Sequence, residues 1–405
     1  MSEESYKLEE QPVDRKDATT LRSLKQGPLA SILGHLDLRR QGVLLVLILL
    51  AILFHFTTNG IFLSPRNLSQ LLRQASILGV AACGMTALIV LGEIDLSVGS
   101  VMYLLGVIAA QLNVLRNWGT IPTLAATLVI AVAIGMWNGM CFARMKVPAF
   151  VATLAGLMAF RGLGLVMSDA ATIFPTSDSY QAISEGFLSP PFSYILIGLI
   201  YALYLVLTIR AYLFARRSGS ETDAAWLVGQ SILVGAAAGV FAWVTGRFSG
   251  IPNAVLVLMA VAAAFAFIMT STVLGRNIYA IGSSREAAAL SGISVPRHIF
   301  IVFGLLMGVV YFVSSTLMTA RLSGSIAGLG QGFELDVIAA VVIGGTSLMG
   351  GVGTIPGTLF GALLLATVDN GMSLMNVSSF LQMVIKAALL LLAVWFDVVT
   401  RAQQD

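Results

Sequence analysis

From residue 41 to residue 397 the chain is a succession of apolar runs parted by short polar breaks, and no other feature restricts its fold so tightly. A bilayer core takes about 20 apolar residues per helix. Twelve runs qualify as spans: 41–58, 75–91, 97–115, 121–143, 148–168, 192–214, 226–245, 253–273, 299–320, 334–349, 354–373 and 379–397. In lipid every backbone polar group needs an internal partner, so runs of this length are expected to be helical. The expected class is an all-α polytopic membrane protein with about 12 transmembrane helices. The runs at 75–91 and 334–349 are short and flanked by acids or glycines, which marks them as broken or re-entrant.

Composition agrees, with 57% hydrophobic and 11% charged residues against about 45–50% and 25% in soluble domains. The exception is the segment 1–40, whose seven acids balance seven bases. It has no apolar stretch ending in a small-residue cleavage site, and is expected to be a polar cytoplasmic tail. With the N-terminus inside, sixteen Lys and Arg residues fall on the cytoplasmic side and five (Arg66, Arg73, Arg116, Arg247 and Arg321) on the other. That bias places both termini in the cytoplasm. Cys83 and Cys141 lie in apolar runs and are expected to be free buried thiols. No Cys/His cluster points to a metal.

A pattern recurs along the chain. Glu93-Ile94-Asp95 precedes one span and Glu334-Leu335-Asp336 another; Asn138-Gly139 followed by Val147-Pro148-Ala149-Phe150-Val151 is echoed by Asn370-Gly371 followed by Val377-Ser378-Ser379-Phe380-Leu381. If the sixth and seventh spans are an insertion, the rest divides five plus five. An odd unit enters the membrane from opposite sides in its two copies, giving an inverted repeat. The expected domains are the tail 1–40, a first repeat 41–168, an inserted helix pair with loops 169–250, and a second repeat 251–400 containing a cytoplasmic loop at 275–298.

Charge within the bilayer costs about 2.5–3.5 kcal/mol per residue on insertion scales, so each such residue needs a reason. They are Glu93, Asp95, Arg161, Glu334, Asp336, Asp369 and Lys386. Asp369 and Lys386 can neutralise each other or serve the pathway. Arg161 is a structural partner for Glu93 or Asp95, since a guanidinium satisfies carboxylates in pairs. Asp95 and Asp336 fit helix N-caps, which would fix the start of a half-helix. The glycines from Gly344 to Gly361 fit close helix packing, with Gly353, Gly357 and Gly361 at small-xxx-small spacing. No Gly-x-x-x-x-Gly-Lys-Ser/Thr is present, so the chain carries no P-loop for ATP. With three histidines, His35, His55 and His298, and no nucleophile motif, the sequence is read as a non-enzyme without cofactor or metal.

The cytoplasmic loop holds a helix former, Ser284-Arg285-Glu286-Ala287-Ala288-Ala289-Leu290, with Gly292 where a helix would stop. A short helix across a cytoplasmic mouth suits docking into a groove, and equally a solvated connector.

Several stretches together resemble one family. They are Arg276–Ile293, Glu93-Ile94-Asp95-Leu96-Ser97-Val98-Gly99-Ser100, Glu334-Leu335-Asp336-Val337-Ile338-Ala339-Ala340, Gly344-Gly345-Thr346-Ser347-Leu348 and Asp369-Asn370-Gly371-Met372. They resemble the permeases of bacterial ABC sugar importers of the ribose/xylose type over roughly residues 60–400. Within that family the inserted pair, Leu71-Leu72-Arg73-Gln74, Phe160-Arg161-Gly162 and Leu391–Asp397 look most like members that carry xylose. The resemblance implies D-xylose as cargo, with ribose, arabinose or galactose as alternatives, and an inner-membrane location. It implies as partners a second permease copy, a cytoplasmic ATP-binding subunit, a periplasmic sugar-binding protein and the surrounding lipid, and no nucleic acid. It also implies that Glu286, Ala287, Ala288, Leu290, Ser291 and Gly292 seat in the ATPase. Polarity nominates Ser97, Asn138, Thr346, Ser347, Asn370 and Gln382 to line the pathway, with Glu93, Asp95, Glu334 and Asp336 at its ends. Two readings from other classes compete, an ion-coupled sugar transporter and a membrane scaffold; uptake that follows an ion gradient without ATPase would identify the first.

Overall fold

The computed structural model describes residues 38–218 and 224–401. The tail expected at 1–40, apart from the Leu38–Arg40 backbone, lies outside the described residues, as does the loop 219–223. The described chain is a polytopic helical bundle. Eight of its helices are long and apolar enough to cross a membrane, and Gly42–Thr57 and Ser379–Trp395 are shorter apolar stretches.

Helix α1 (Leu38–Thr57) leads through a turn into α2 (Pro65–Val90), the axis of the bundle, buried along nearly all its length. Here the expected short span at 75–91 is corrected: α2 has 26 residues. Ser64 caps it by accepting from Asn67 N, and Pro65 stands in the first turn, where its missing N–H costs nothing. Arg66 and Arg73 interrupt the apolar run in sequence without ending the helix, because Arg73 finds its partner inside the protein.

A break, Gly92–Ser97, separates α2 from α3 (Val98–Ala110, prolonged by a π turn Gln111–Leu115). Next come α4 (Thr120–Ala143) and α5 (Ala149–Ser168). The stretch 169–191, expected as loop, contains α6 (Asp178–Glu185) and β1 (Phe187–Leu188). The pair α7 (Pro190–Arg217) and α8 (Ala224–Gly246) pack on each other and leave most of their apolar surface outward. β2 (Ile251–Pro252) closes a two-residue antiparallel ladder with β1, Phe187 opposite Pro252. From there run α9 (Asn253–Ser271), α10 (Val273–Ser283), α11 (Arg285–Leu290) and α12 (Val295–Ile301). A π turn, Val302–Met307, joins α12 to α13 (Gly308–Arg321) as one 27-residue span.

The irregular segment Leu322–Gly332 leads into α14 (Phe333–Ile343). At 11 residues and about 1.5 Å per residue, α14 falls well short of a hydrocarbon core of about 30 Å. The broken span expected at 334–349 is present. The chain ends in α15 (Ile355–Leu374) and α16 (Ser379–Arg401).

One core unites α2, α3, α13 and α14. Small residues set its spacing. An added Cβ on Gly84 would lie 2.7 Å from Val310 Cγ2, and on Gly361 it would overlap the Ala340 carbonyl oxygen. Close backbone approach of this kind drives helix association in lipid, where hydrophobicity cannot.

Candidate translocation and coupling sites

Two breaks in the helical bundle meet inside it. Asp95, in the first, is fully buried, and its carboxylate accepts from Ser97 N and Ser97 Oγ, both at 2.7 Å, and from the Tyr311 hydroxyl. Asn138 of α4 donates to Ser97 Oγ at 3.1 Å and to Tyr311 Oη at 3.3 Å. Asp95 therefore turns its own loop rather than capping α3. The cap position is Ser97, whose side chain makes no capping bond. Tyr311 lies well inside the span Val295–Arg321, so Gly92–Ser97 folds back into the bundle to reach it.

The second break descends along α3. Ser325 and Leu329 lie beside Gly106, and Gly330 lies against Gly99. Seven residues of α3 separate these levels, about 10 Å of descent. The Gly99–Gly330 contact is reciprocal: a Cβ on either would overlap the carbonyl oxygen of the other. Gly330 also has φ +72, a left-handed backbone that favours glycine. Arg161 of α5 holds the descending segment by donating to Leu329 O at 2.8 Å and Ala327 O at 3.3 Å, its guanidinium 4.8 Å from the Tyr103 ring centroid. It pairs with neither Glu93 nor Asp95, so that expectation is corrected. Its carbonyl partners are backbone groups freed where helix is absent. Glu334 Oε2 lies over Gly99 in the first turn of α3. The N-termini of α3 and α14 are thus brought together inside the bundle, each with a carboxylate nearby, the arrangement that favours negative charge at positive helix ends.

On the far side of α14, Asp336 is not a cap either; the α14 cap position is Gly332. Lys386 of α16 donates to Asp336 Oδ2 at 2.7 Å and lies 3.7 Å from Asp369 Oδ1 of α15. One ammonium thus serves two carboxylates, and the cluster joins three helices. Asn370 exchanges hydrogen bonds with Asn67 of α2, at 2.8 and 3.1 Å, a paired amide that fixes the start of α2 to the end of α15. Gln382 donates locally, to Val377 O at 2.8 Å and Ser373 Oγ at 3.4 Å.

The end that carries the loop 275–298, nominated for ATPase coupling and called the coupling loop below, is interlocked. Ser284 caps α11 by accepting from Ala287 N at 3.2 Å. Ile293 N reaches Ala288 O and Gly292 N reaches Ala289 O, both at 3.0 Å, with Gly292 at φ +82, so a Schellman turn ends the helix. Ala288 is buried, whereas Glu286, Ala287, Ser291 and Gly292 are exposed, and Leu290 is 84% exposed. Arg285, beside them, turns inward and donates to Glu93 Oε1 at 2.6 Å and Gly92 O at 3.0 Å. Gly282 of α10 sits on Val90 O and Gly351 N, Gly351 N donates to Val90 O at 2.9 Å, and Tyr279 Oη donates to Gly353 O at 2.7 Å. The glycine-rich turn after α14 is therefore a clasp between α2 and α10. Thr346 and Ser347, nominated for the pathway, are buried in this clasp; Ser347 Oγ accepts from Met349 N at 3.1 Å.

A protein family described as the permease component of the branched-chain amino acid transport system matches residues 67–394. The chain belongs to this permease family. The permease is 39% identical over 370 residues to the xylose transport system permease protein XylH of Escherichia coli (strain K12), covering 91% of this chain and 94% of that one. It is 40% identical over 365 residues to the XylH of Haemophilus influenzae, 88% and 96% covered. To the ribose import permease protein RbsC of Escherichia coli (strain K12) it is 33% identical over 361 residues, 89% and 94% covered. No solved structure matches the permease.

Among the described residues no group of three or more His, Cys, Asp and Glu side chains is placed to hold a metal, and both cysteines are buried free thiols. Sequence reasoning missed Tyr311, Tyr279 and Asn67. The signal for the first two was a phenol in or beside an apolar run, which in lipid demands a partner for its hydroxyl. Asn67 carried none, being taken for loop.

Proposed function

We propose that this permease is the transmembrane subunit of an ATP-driven, binding-protein-dependent importer of a monosaccharide, D-xylose, in the bacterial inner membrane. The relatives named for xylose transport support the cargo by covering about nine-tenths of both chains; the ribose permease, at lower identity, supports ribose as the alternative. The observation that carries the mechanism is the interlock at the coupling-loop end. The exposed side of α11, with Glu286, Ala287, Leu290, Ser291 and Gly292, is the docking face for a separate ATP-binding subunit, and Ala288 anchors it from beneath. Arg285 links that helix to Glu93 and so to the break before α3. Gly282 and Tyr279 link it to the clasp that follows α14. Both α3 and α14 are tied to α10 and α11, the helices that carry the face the ATPase would grip.

In this reading two permease copies assemble with the ATPase and receive sugar from a periplasmic binding protein. The chain has twelve spans, α14 with its descending segment among them, in a five-plus-five inverted repeat with α7 and α8 inserted. Both termini are cytoplasmic. The apposed N-termini of α3 and α14 form the gate, and Asp95, Ser97 and Asn138, latched by Tyr311, hold it closed. Asn370 and the Asp336–Lys386–Asp369 cluster occupy the second repeat and keep its last three helices in register. Gln382 lies at the outer end of that repeat.

The test is uptake into proteoliposomes holding the permease and its ATPase, with binding protein outside and ATP inside. ATP-dependent uptake of D-xylose that survives an ionophore and ceases in Leu290→Glu is expected. Uptake driven by an ion gradient without ATPase would refute the reading.

A further inference from the structure

Beside α11 lies a cavity of about 450 Å³ whose walls come from α10, from the turn Gly292–Ser294 that ends α11, and from α12. His298 is the strut between its walls. It donates from Nδ1 to Ser294 O at 2.8 Å and accepts at Nε2 from Asn277 Nδ2 of α10 at 2.9 Å. A carbonyl only accepts, so the proton sits on Nδ1 and the ring is neutral in this arrangement. The cavity is therefore held in shape by the permease's own bonds, and its charge is Arg297 alone. Arg297 is exposed, and among the described residues it makes no ion pair. No carboxylate lines the cavity. Ser294 adds a hydroxyl that makes no capping bond to α12. Half-buried Leu274, Ile293 and Ile301 supply apolar wall.

The charges on the neighbouring elements lean the same way. Arg276 on α10 is an exposed cation, as are Arg144 and Lys146 after α4, whose Gly139 packs on Phe300 of α12. Arg285 of α11 is spent on Glu93, which leaves Glu286, on the exposed side of α11, as the only acid on these elements. A guanidinium beside a hydroxyl and apolar wall suits a carboxylate, which it grips with two parallel bonds that strengthen as water leaves. The position of the cavity selects the bearer of that carboxylate. The turn Gly292–Ser294 is shared by the cavity and the docking face, so a subunit seated on Leu290, two residues earlier, covers the mouth. We propose that this cavity is a socket for an acidic side chain of the ATP-binding subunit, its carboxylate on Arg297 and Ser294 and its apolar flank on Leu274, Ile293 and Ile301. This rests on the proposed function for the partner and adds a second point of engagement. Through it the ATPase grips the base of the span Val295–Arg321, which carries Tyr311, directly and not only by way of α11.

Titration of the purified ATPase against the full-length permease in phosphatidylcholine nanodiscs tests it. Arg297→Gln should weaken binding about 10- to 100-fold, the worth of a hydrogen bond between charged groups. It should also flatten the decline of affinity with added salt and leave the thermal transition of the permease unchanged. Arg297→Lys keeps the charge without the fork and should fall between. Arg276→Gln removes an exposed cation that does not line the cavity, and should cost less than about fivefold. Equal losses in Arg276→Gln and Arg297→Gln would reduce the effect to general surface charge and overturn the socket. So would a loss seen only in discs containing phosphatidylglycerol, which would put a lipid headgroup in the cavity. Weakened binding in Leu290→Glu with none in Arg297→Gln overturns the socket and leaves the importer reading standing. Undiminished binding in both would refute the α11 docking face, and the socket with it.

Discussion

Replacing Arg285 by alanine should uncouple ATP hydrolysis from uptake without releasing the ATPase. The Arg285 side chain is 46% exposed and that of Glu93 9% exposed, with 2.6 Å between Nη2 and Oε1. A hydrogen bond between charged groups is worth about 1.5–3 kcal/mol, and the exposure of the guanidinium places this one toward the lower end, at about 1.5 kcal/mol. A link of that strength shifts an equilibrium by no more than its own free energy, about tenfold. In Arg285→Ala, the break before α3 therefore follows α11 about ten times less often per ATP cycle. Sugar carried per ATP should fall about tenfold, while ATPase binding persists, because the outward face of α11 is intact. A double-mutant cycle with Glu93→Gln isolates the pair. The double variant should be no worse than Arg285→Ala alone, since it no longer buries an unpaired carboxylate. Uptake and phosphate release measured in the same proteoliposomes give the ratio. An unchanged ratio in Arg285→Ala, or a coupling free energy below about 0.5 kcal/mol in the cycle, would refute the linkage.

Tyr311→Phe strips the buried Asp95 of one donor and should cost about 1–3 kcal/mol, read as a lower unfolding temperature in nanodiscs; Asp95→Asn in the same chain should recover part of it. Gly99→Ala and Gly330→Ala each drive a methyl into the other glycine's carbonyl oxygen and should prevent accumulation of folded permease in the membrane. Gly162→Ala, with nothing within 4 Å of the added carbon, should be silent in the same immunoblot and detergent-stability assay. Lys386→Met leaves Asp336 and Asp369 without a counter-ion and should destabilise by about 3–5 kcal/mol, with Asp336→Asn a partial suppressor in thermal unfolding.

The fold was legible wherever one physical rule acted alone. Length and hydropathy located most spans, since a bilayer imposes both. The break at α14 was visible because the run at 334–349 is short and is flanked by acids and glycines. The same rule misplaced the start of α2. Arg66 and Arg73 resemble loop residues to a hydropathy window, and only the distant Glu185 makes Arg73 affordable inside a helix. Partner choice was the least legible property. Arg161 was expected to seek a carboxylate, but it binds two carbonyl groups that exist only because Leu322–Gly332 is not helical. Asp95 and Asp336 carry the same Glu-x-Asp spacing yet differ in use, one bonded to a tyrosine hydroxyl and one to an ammonium. No spacing rule separates them, because the partners come from spans more than 40 residues away.

The two breaks and the coupling loop constrain each other, and that bears on how such a machine can move. Gly99 and Gly330 are in reciprocal backbone contact, so neither α3 nor the segment leading into α14 can shift along the contact while the other stays still. The α3 break is held from the coupling-loop end by a charged side chain, Arg285, which can swing. The α14 end is held by backbone contacts at Gly282, Gly350 and Gly351, which cannot. A push on α11 is therefore transmitted rigidly to the clasp after α14 and through a flexible arm to the start of α3. On the proposed importer reading, the difference makes α14 the driven element and α3 the follower. Shortening the carboxylate side of the arm, as in Glu93→Asp, should slow transport while leaving its ATP stoichiometry closer to normal than Arg285→Ala does. A bulky side chain at Gly351 should instead abolish uptake together with the α2–α10 contact.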